Sequence, residues 1–74
     1  MNKEVHINII SNAKYIAWIS TNKVLYIIGV DSKNYAQEWI EDKIVILNFK
    51  CSYGLYNGFD YEIINRILKA EEIL

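Results

Sequence analysis

Proline is absent from this chain, and cysteine and histidine occur once each, at Cys51 and His6. A single cysteine excludes an internal disulfide and a four-cysteine zinc site, and it fits a reducing compartment. One histidine, one cysteine and scattered carboxylates leave no ligand spacing of the zinc or calcium kind, so neither a metal nor a cofactor is expected. Glycine is scarce, with three residues. Gly54 and Gly58 lack the Lys-Ser/Thr that follows the glycines of a phosphate-binding loop. Neither sign of charge is in excess: eight basic against nine acidic residues give a net charge of −1, without the basic balance that suits nucleic acid. Long apolar runs are missing too. The longest, Val24 to Val30, covers about a third of a membrane span. The opening Met-Asn-Lys-Glu-Val-His carries its apolar content in pieces too short for a signal peptide. A cytoplasmic chain without membrane contact is therefore expected. No repeat or linker interrupts the sequence, which reads as one small α+β domain over residues 1–74.

Apolar material is plentiful. It makes up 53% of the residues, fourteen of them isoleucine, which argues against disorder. A chain of this length buries only roughly 60–65% of its unfolded surface, so its core must be dense or shared. Ile, Asn, Lys, Tyr and Phe account for 37 of the 74 residues, and Lys outnumbers Arg seven to one. All five have A/T-rich codons, which suggests an A/T-rich genome such as that of a low-GC bacterium or its phage.

Val5, Ile7 and Ile9 alternate with His6 and Asn8, a period of two that predicts a strand over 4–10. Residues 14–20 and 24–30 are rich in β-branched and aromatic side chains and predict two more strands, joined by a tight hairpin at Thr21-Asn22-Lys23. The first three strands read as an antiparallel meander. Ser32, or Asp31 in its place, suits the N-cap of a helix over 33–42 with Tyr35, Ala36, Trp39 and Ile40 on its apolar stripe. Residues 44–50 read as a fourth strand. Asp60 caps a second helix over 61–72, with Phe59 and Ile63 or Ile64 closing a hydrophobic staple. The predicted architecture is a four-stranded mixed sheet with the element order βββαβα and two helices on one face.

That arrangement leaves an excess. Residues 15–19, 24–28 and 44–47 are apolar at every position, where a sheet with one wet face alternates. A second copy of the chain, or another protein, is expected to cover the second face, because a large exposed patch on a small monomer invites aggregation.

No catalytic inventory accompanies this. A cysteine nucleophile needs a base within hydrogen-bond reach, and no spacing brings His6 to Cys51. Cys51 reads as a small buried residue and His6 as a solvated strand residue. Adjacent Glu41-Asp42 and Glu71-Glu72 diverge by a quarter-turn or more on a helix. The chain is not expected to be an enzyme.

Two features point to contact surfaces. The segment Cys51–Asp60 holds two of the three glycines and four large apolar side chains where a polar loop is expected. Phe59 belongs to the helix start. Asn57-Gly58 is a turn signal that would lift Tyr56 and Tyr53 to a recognition tip, where tyrosines offer area at low entropy cost, and it leaves Tyr53 to Asn57 for recognition. Glu38, Glu41 and Asp42 crowd the C-terminal end of the first predicted helix, and Glu71 and Glu72 that of the second, against the helix dipole. Such an acidic surface suits a basic protein partner. Trp18, Tyr15 and Tyr26 would stack bases if one sheet face were open, but the basic stripe of nucleic-acid binders is missing. The expected function is a protein-binding module: a phage or mobile-element regulator or inhibitor that acts on a host protein, self-associates, or does both. Its contact residues are Tyr53, Leu55, Tyr56, Asn57, Glu38, Glu41, Asp42 and Trp18. The alternatives are a nucleic-acid-binding regulator, recognisable by salt-dependent binding, and a small-ligand binder whose pocket forms at an oligomer interface.

Overall fold

The computed structural model describes residues 3–48 and 50–73. Its elements are β1 (Glu4–Ile9), β2 (Tyr15–Ser20), β3 (Val24–Val30), α1 (Lys33–Ile46), β4 (Ser52–Tyr56) and α2 (Tyr61–Ala70). They build the predicted four-stranded mixed sheet with two helices. Among the described residues no helix is long and apolar enough to cross a membrane.

The strands lie side by side in the order β1-β3-β2-β4. β2 and β3 form the predicted hairpin, closed by Thr21, whose hydroxyl accepts from the backbone N–H of Lys23 and Val24 at 3.1 Å each. The meander is overturned: β3 inserts between β1 and β2, and β1 pairs with β3 in parallel. The apolar pattern accounts for this. β2 and β3, apolar on both faces, take the centre; β1, which alternates, takes an edge. β4 pairs antiparallel with β2 and forms the other edge.

The strand predicted over 44–50 is also overturned. Residues 44–46 are the last turn of α1, and Phe49 lies outside the described residues. β-Branched residues cost a helix only a few tenths of a kcal/mol each, so packing decides. Ile44 continues the i, i+4 row of Ala36 and Ile40 and packs on the same cluster. The helix stops at Leu47, and Asn48 follows at φ 58, a left-handed conformation that asparagine tolerates. The fourth strand lies instead at Ser52–Tyr56, inside the segment read as a loop.

Each face of the sheet carries one helix. Ile16, Leu25 and Ile27 pack with Ile64 and Ile67 of α2, joined by Val5, Ile9, Trp18 and Phe59. Ala17 and Val30 pack with Ala36 and Ile40 of α1, joined by Tyr15, Ile28, Trp39, Ile44 and Leu55. Ile16 and Ala17 are neighbours on one strand and point to opposite faces, so α2 and α1 must lie on opposite sides. The chain thus covers both faces of β2 and β3 itself. The uncovered second face, which motivated the expectation of self-association, does not exist. The caps are as predicted: the Ser32 side chain accepts from the backbone N–H of Tyr35 and that of Asp60 from Glu62.

The C-terminal end of α2 is tied down. Glu72 adopts φ 61, and the backbone N–H of Ile73 reaches the carbonyl of Leu68 at 2.8 Å, closing a Schellman motif. Glu71, at the C-cap, accepts from both the Lys3 ammonium and the Ser20 hydroxyl. Its unfavourable place on the helix dipole is thereby offset. Burial alone would raise the Glu71 pKa. The hydrogen bonds from Lys3 and Ser20, with the Lys3 charge, outweigh it and hold the pKa below its ordinary value. The stability this supplies is complete above the unfolded pKa of about 4.3 and is lost as pH falls through the lowered folded value. Glu71→Gln is expected to lower Tm by a few degrees at neutral pH. The gap from the parent should close in acid, as read from thermal melts taken from neutral pH downward.

Candidate functional site

α1 lies over the middle of the sheet and leaves a groove along each flank. On the β4 side, Gln37, Ile40, Glu41 and Ile44 face Tyr53, Gly54 and Leu55 across a groove of about 460 Å³. These helix positions are i, i+3, i+4 and i+7, one flank of a helix. The groove exists because α1 runs on through Ile44 and because β4 is a strand, whose alternation turns Tyr53 and Leu55 toward α1.

Of the residues singled out in the sequence, Tyr53, Leu55 and Glu41 are brought together here. Tyr53 is 55% exposed, whereas Leu55 is half-buried against the Ala17 cluster. By the 100° step per residue Glu38 falls about 60° beyond Glu41, on the crest of the helix away from the sheet, with Val45 beside it. Asp42 falls about 40° further round, on the side of the crest away from β4, and is exposed. With α1 extended to Ile46, Glu38 and Glu41 sit mid-helix and no longer oppose the dipole at its end. Lys43 is the basic residue of the last turn.

Trp18 and Tyr56 lie on the other face. Trp18 faces Gly54 across the β2–β4 ladder. A Cβ on Gly54 would stand 2.5 Å from the indole Nε1, so the ring lies directly on the glycine backbone. Tyr56, 39% exposed, projects on that same side. Asn57 is exposed in the bend that follows β4. The stacking platform of Tyr15, Trp18 and Tyr26 does not form, because Trp18 faces α2 while Tyr15 and Tyr26 face α1. Cys51 precedes β4 and His6 lies on β1. The two edge strands stand three strand spacings apart, about 14 Å, which places a Cys–His pair out of reach.

Among the described residues β4 has a neighbour strand on one side only, so the outward backbone groups of Ser52–Tyr56 are available for pairing. Tyr53 is exposed on this edge, and Val45, 62% exposed, lies on the side of α1 nearer to it. The groove lining carries one charged side chain, Glu41, and no cation. The chain matches no protein-family model, no curated protein and no solved structure.

Proposed function

We propose that the chain is a protein-binding module that takes up an extended segment of its partner along the free edge of β4. The segment adds a fifth strand and lays apolar side chains into the groove between α1 and β4. The observation that carries this reading is the meeting of a free strand edge and an apolar groove whose helix wall carries one acidic side chain, Glu41. Main-chain pairing supplies affinity in such a mode, and the groove supplies selectivity. Glu41 on the groove wall, with Glu38 on the adjoining crest of α1, favours a segment in which lysine or arginine alternates with apolar residues. A module of this kind acts by occupancy, as a regulator or inhibitor of the protein whose segment it holds.

The test is a titration of the ¹⁵N-labelled chain with an extended peptide alternating lysine and valine, beside a control in which glutamate replaces lysine. The lysine peptide is expected to shift the amides of Ser52–Tyr56, Gln37 and Glu41. Charge reversal at both Glu38 and Glu41 to lysine should weaken it about tenfold or more. Equal binding of the glutamate peptide, or shifts confined to β1, would refute the proposal.

A further inference from the structure

The other flank of α1 carries chemistry of the opposite sign. Trp39 and Lys43 lie on it, facing β1 and β3. Beneath them a crevice of about 500 Å³ is lined by His6, Asn8, Tyr26, Ile28, Trp39 and Lys43. Asn8, Ile28 and Trp39 also line a second space of about 300 Å³ that runs on to Tyr35 and Asp31. The two are one trough along β1, in the size range of small-molecule sites.

Three observations say what the trough is made for. First, β1 turns its polar positions, His6 and Asn8, to this side, and its apolar ones, Val5, Ile7 and Ile9, to the α2 side. Second, the walls are aromatic. The His6 and Tyr26 rings stack with centroids 5.0 Å apart and interplanar angle 20°, and Trp39 stands on the helix above. Third, the half-buried Lys43 has no carboxylate partner among the described residues, and its ammonium sits 4.5 Å from the centre of the Tyr26 ring. The carboxylates at the two ends are both engaged already, Glu4 with His6 and Asp31 with Asn12.

We infer that this trough is a second binding site, for a flat aromatic compound bearing a carboxylate. The ring lies between Trp39 and the His6–Tyr26 stack, and the carboxylate accepts from Lys43 and from the amide of Asn8. An aromatic face against aromatic walls supplies the area, and a charge-assisted hydrogen bond to Lys43 supplies the preference for an acid. The site uses the flank of α1 that faces away from β4, so it does not depend on the peptide-binding proposal.

The test uses the full chain, ¹⁵N-labelled, and three probes: 4-hydroxyphenylacetate, its uncharged amide 4-hydroxyphenylacetamide, and inorganic phosphate. Its two tryptophans, Trp18 and Trp39, give two indole N–H signals from opposite faces of the sheet. The acid is expected to shift the Trp39 signal and the amides of Asn8 and Lys43 saturably, leaving the Trp18 signal in place. The amide should bind about tenfold more weakly or worse, and Lys43→Met should remove the same factor for the acid alone. Asn8→Asp, on the exposed edge strand, should repel the acid and spare the amide, and it stands in if Lys43→Met does not fold. Absence of a saturable shift, equal affinity for acid and amide, shifts centred on Glu41 and Tyr53, or tighter binding of phosphate than of the aromatic acid would each overturn the inference.

Discussion

Replacing Ile27 by alanine is expected to destabilise the chain by about 2–5 kcal/mol. Ile27 is fully buried on the central strand β3, under α2, with Ile16, Leu25, Ile64 and Ile67 around it. The substitution removes three carbons and leaves a cavity that a thin layer between sheet and helix can close only by moving α2. A chain of this length has about 4–11 kcal/mol of total stability, so the loss is a large share of it. Ile46→Ala is the contrast. Ile46 is 69% exposed on the last turn of α1. Alanine is the better helix former, so stability should change by no more than about 0.5 kcal/mol, in the stabilising direction. Chemical denaturation of both variants at one protein concentration checks the pair. Were residues 44–50 a buried central strand, Ile46→Ala would cost as much as Ile27→Ala.

Gly54→Ala is expected to destabilise by about 1–3 kcal/mol, against the usual small gain of alanine over glycine in a strand. The reason is the Trp18 indole. The new methyl would lie 2.5 Å from Nε1 and 3.0 Å from Cε2, well inside contact distance. Gly54 does not have a positive φ, so its backbone tolerates alanine and the collision alone sets the sign. Trp18→Leu should therefore recover most of the loss when combined with Gly54→Ala, although alone it destabilises by vacating space beside Ile16 and Ile64. A double-mutant cycle measures this coupling. Because Gly54 also lines the β4 groove, the alanine variant should loosen β4 and weaken the lysine–valine peptide, with the double variant restoring both. Additive losses would remove the indole–glycine contact as the explanation.

The parts of the fold legible in the sequence were those where local pattern and burial agree. β2 and β3 are apolar on both faces and take the two central places. Asp60 and Ser32 cap helices as their side chains suggest. The parts not legible were those where tertiary packing overrides local preference. Ile44-Val45-Ile46 has strand propensity, but the Ala36–Ile40–Ile44 row gains more by staying helical. Ser52–Tyr56 has a period of two over its first four residues, with Gly54 in place of a side chain on one face. That glycine reads as a loop residue until Trp18 is placed upon it.

These two misplacements also hid the site. Without Ile44 on α1 and Tyr53 and Leu55 on a strand there is no groove. Tyr53, Leu55 and Glu41 were identified for separate reasons, and only the fold brings them together. Trp18, Tyr56, Glu38 and Asp42 fall elsewhere because of strand alternation and helical phase. The trough beside β1 gave no sequence signal, since its residues come from three elements and only Trp39 and Lys43, at i and i+4 on α1, share a spacing.

The doubly apolar strands pointed to a partner covering a bare face; one helix on each face satisfies them within the chain. The surfaces left for the proposed recognition are the flanks of α1 and the sheet edges. A methyl NOE experiment on a mixture of labelled and unlabelled chains, filtered to separate contacts within a molecule from contacts between molecules, tests this most directly. The Ala17 methyl should see Ile40, and its neighbour Ile16 should see Ile64 and Ile67, all within one molecule. Contacts of both residues with the same helix, or contacts of either set only between molecules, would contradict a sheet closed on both faces by its own chain.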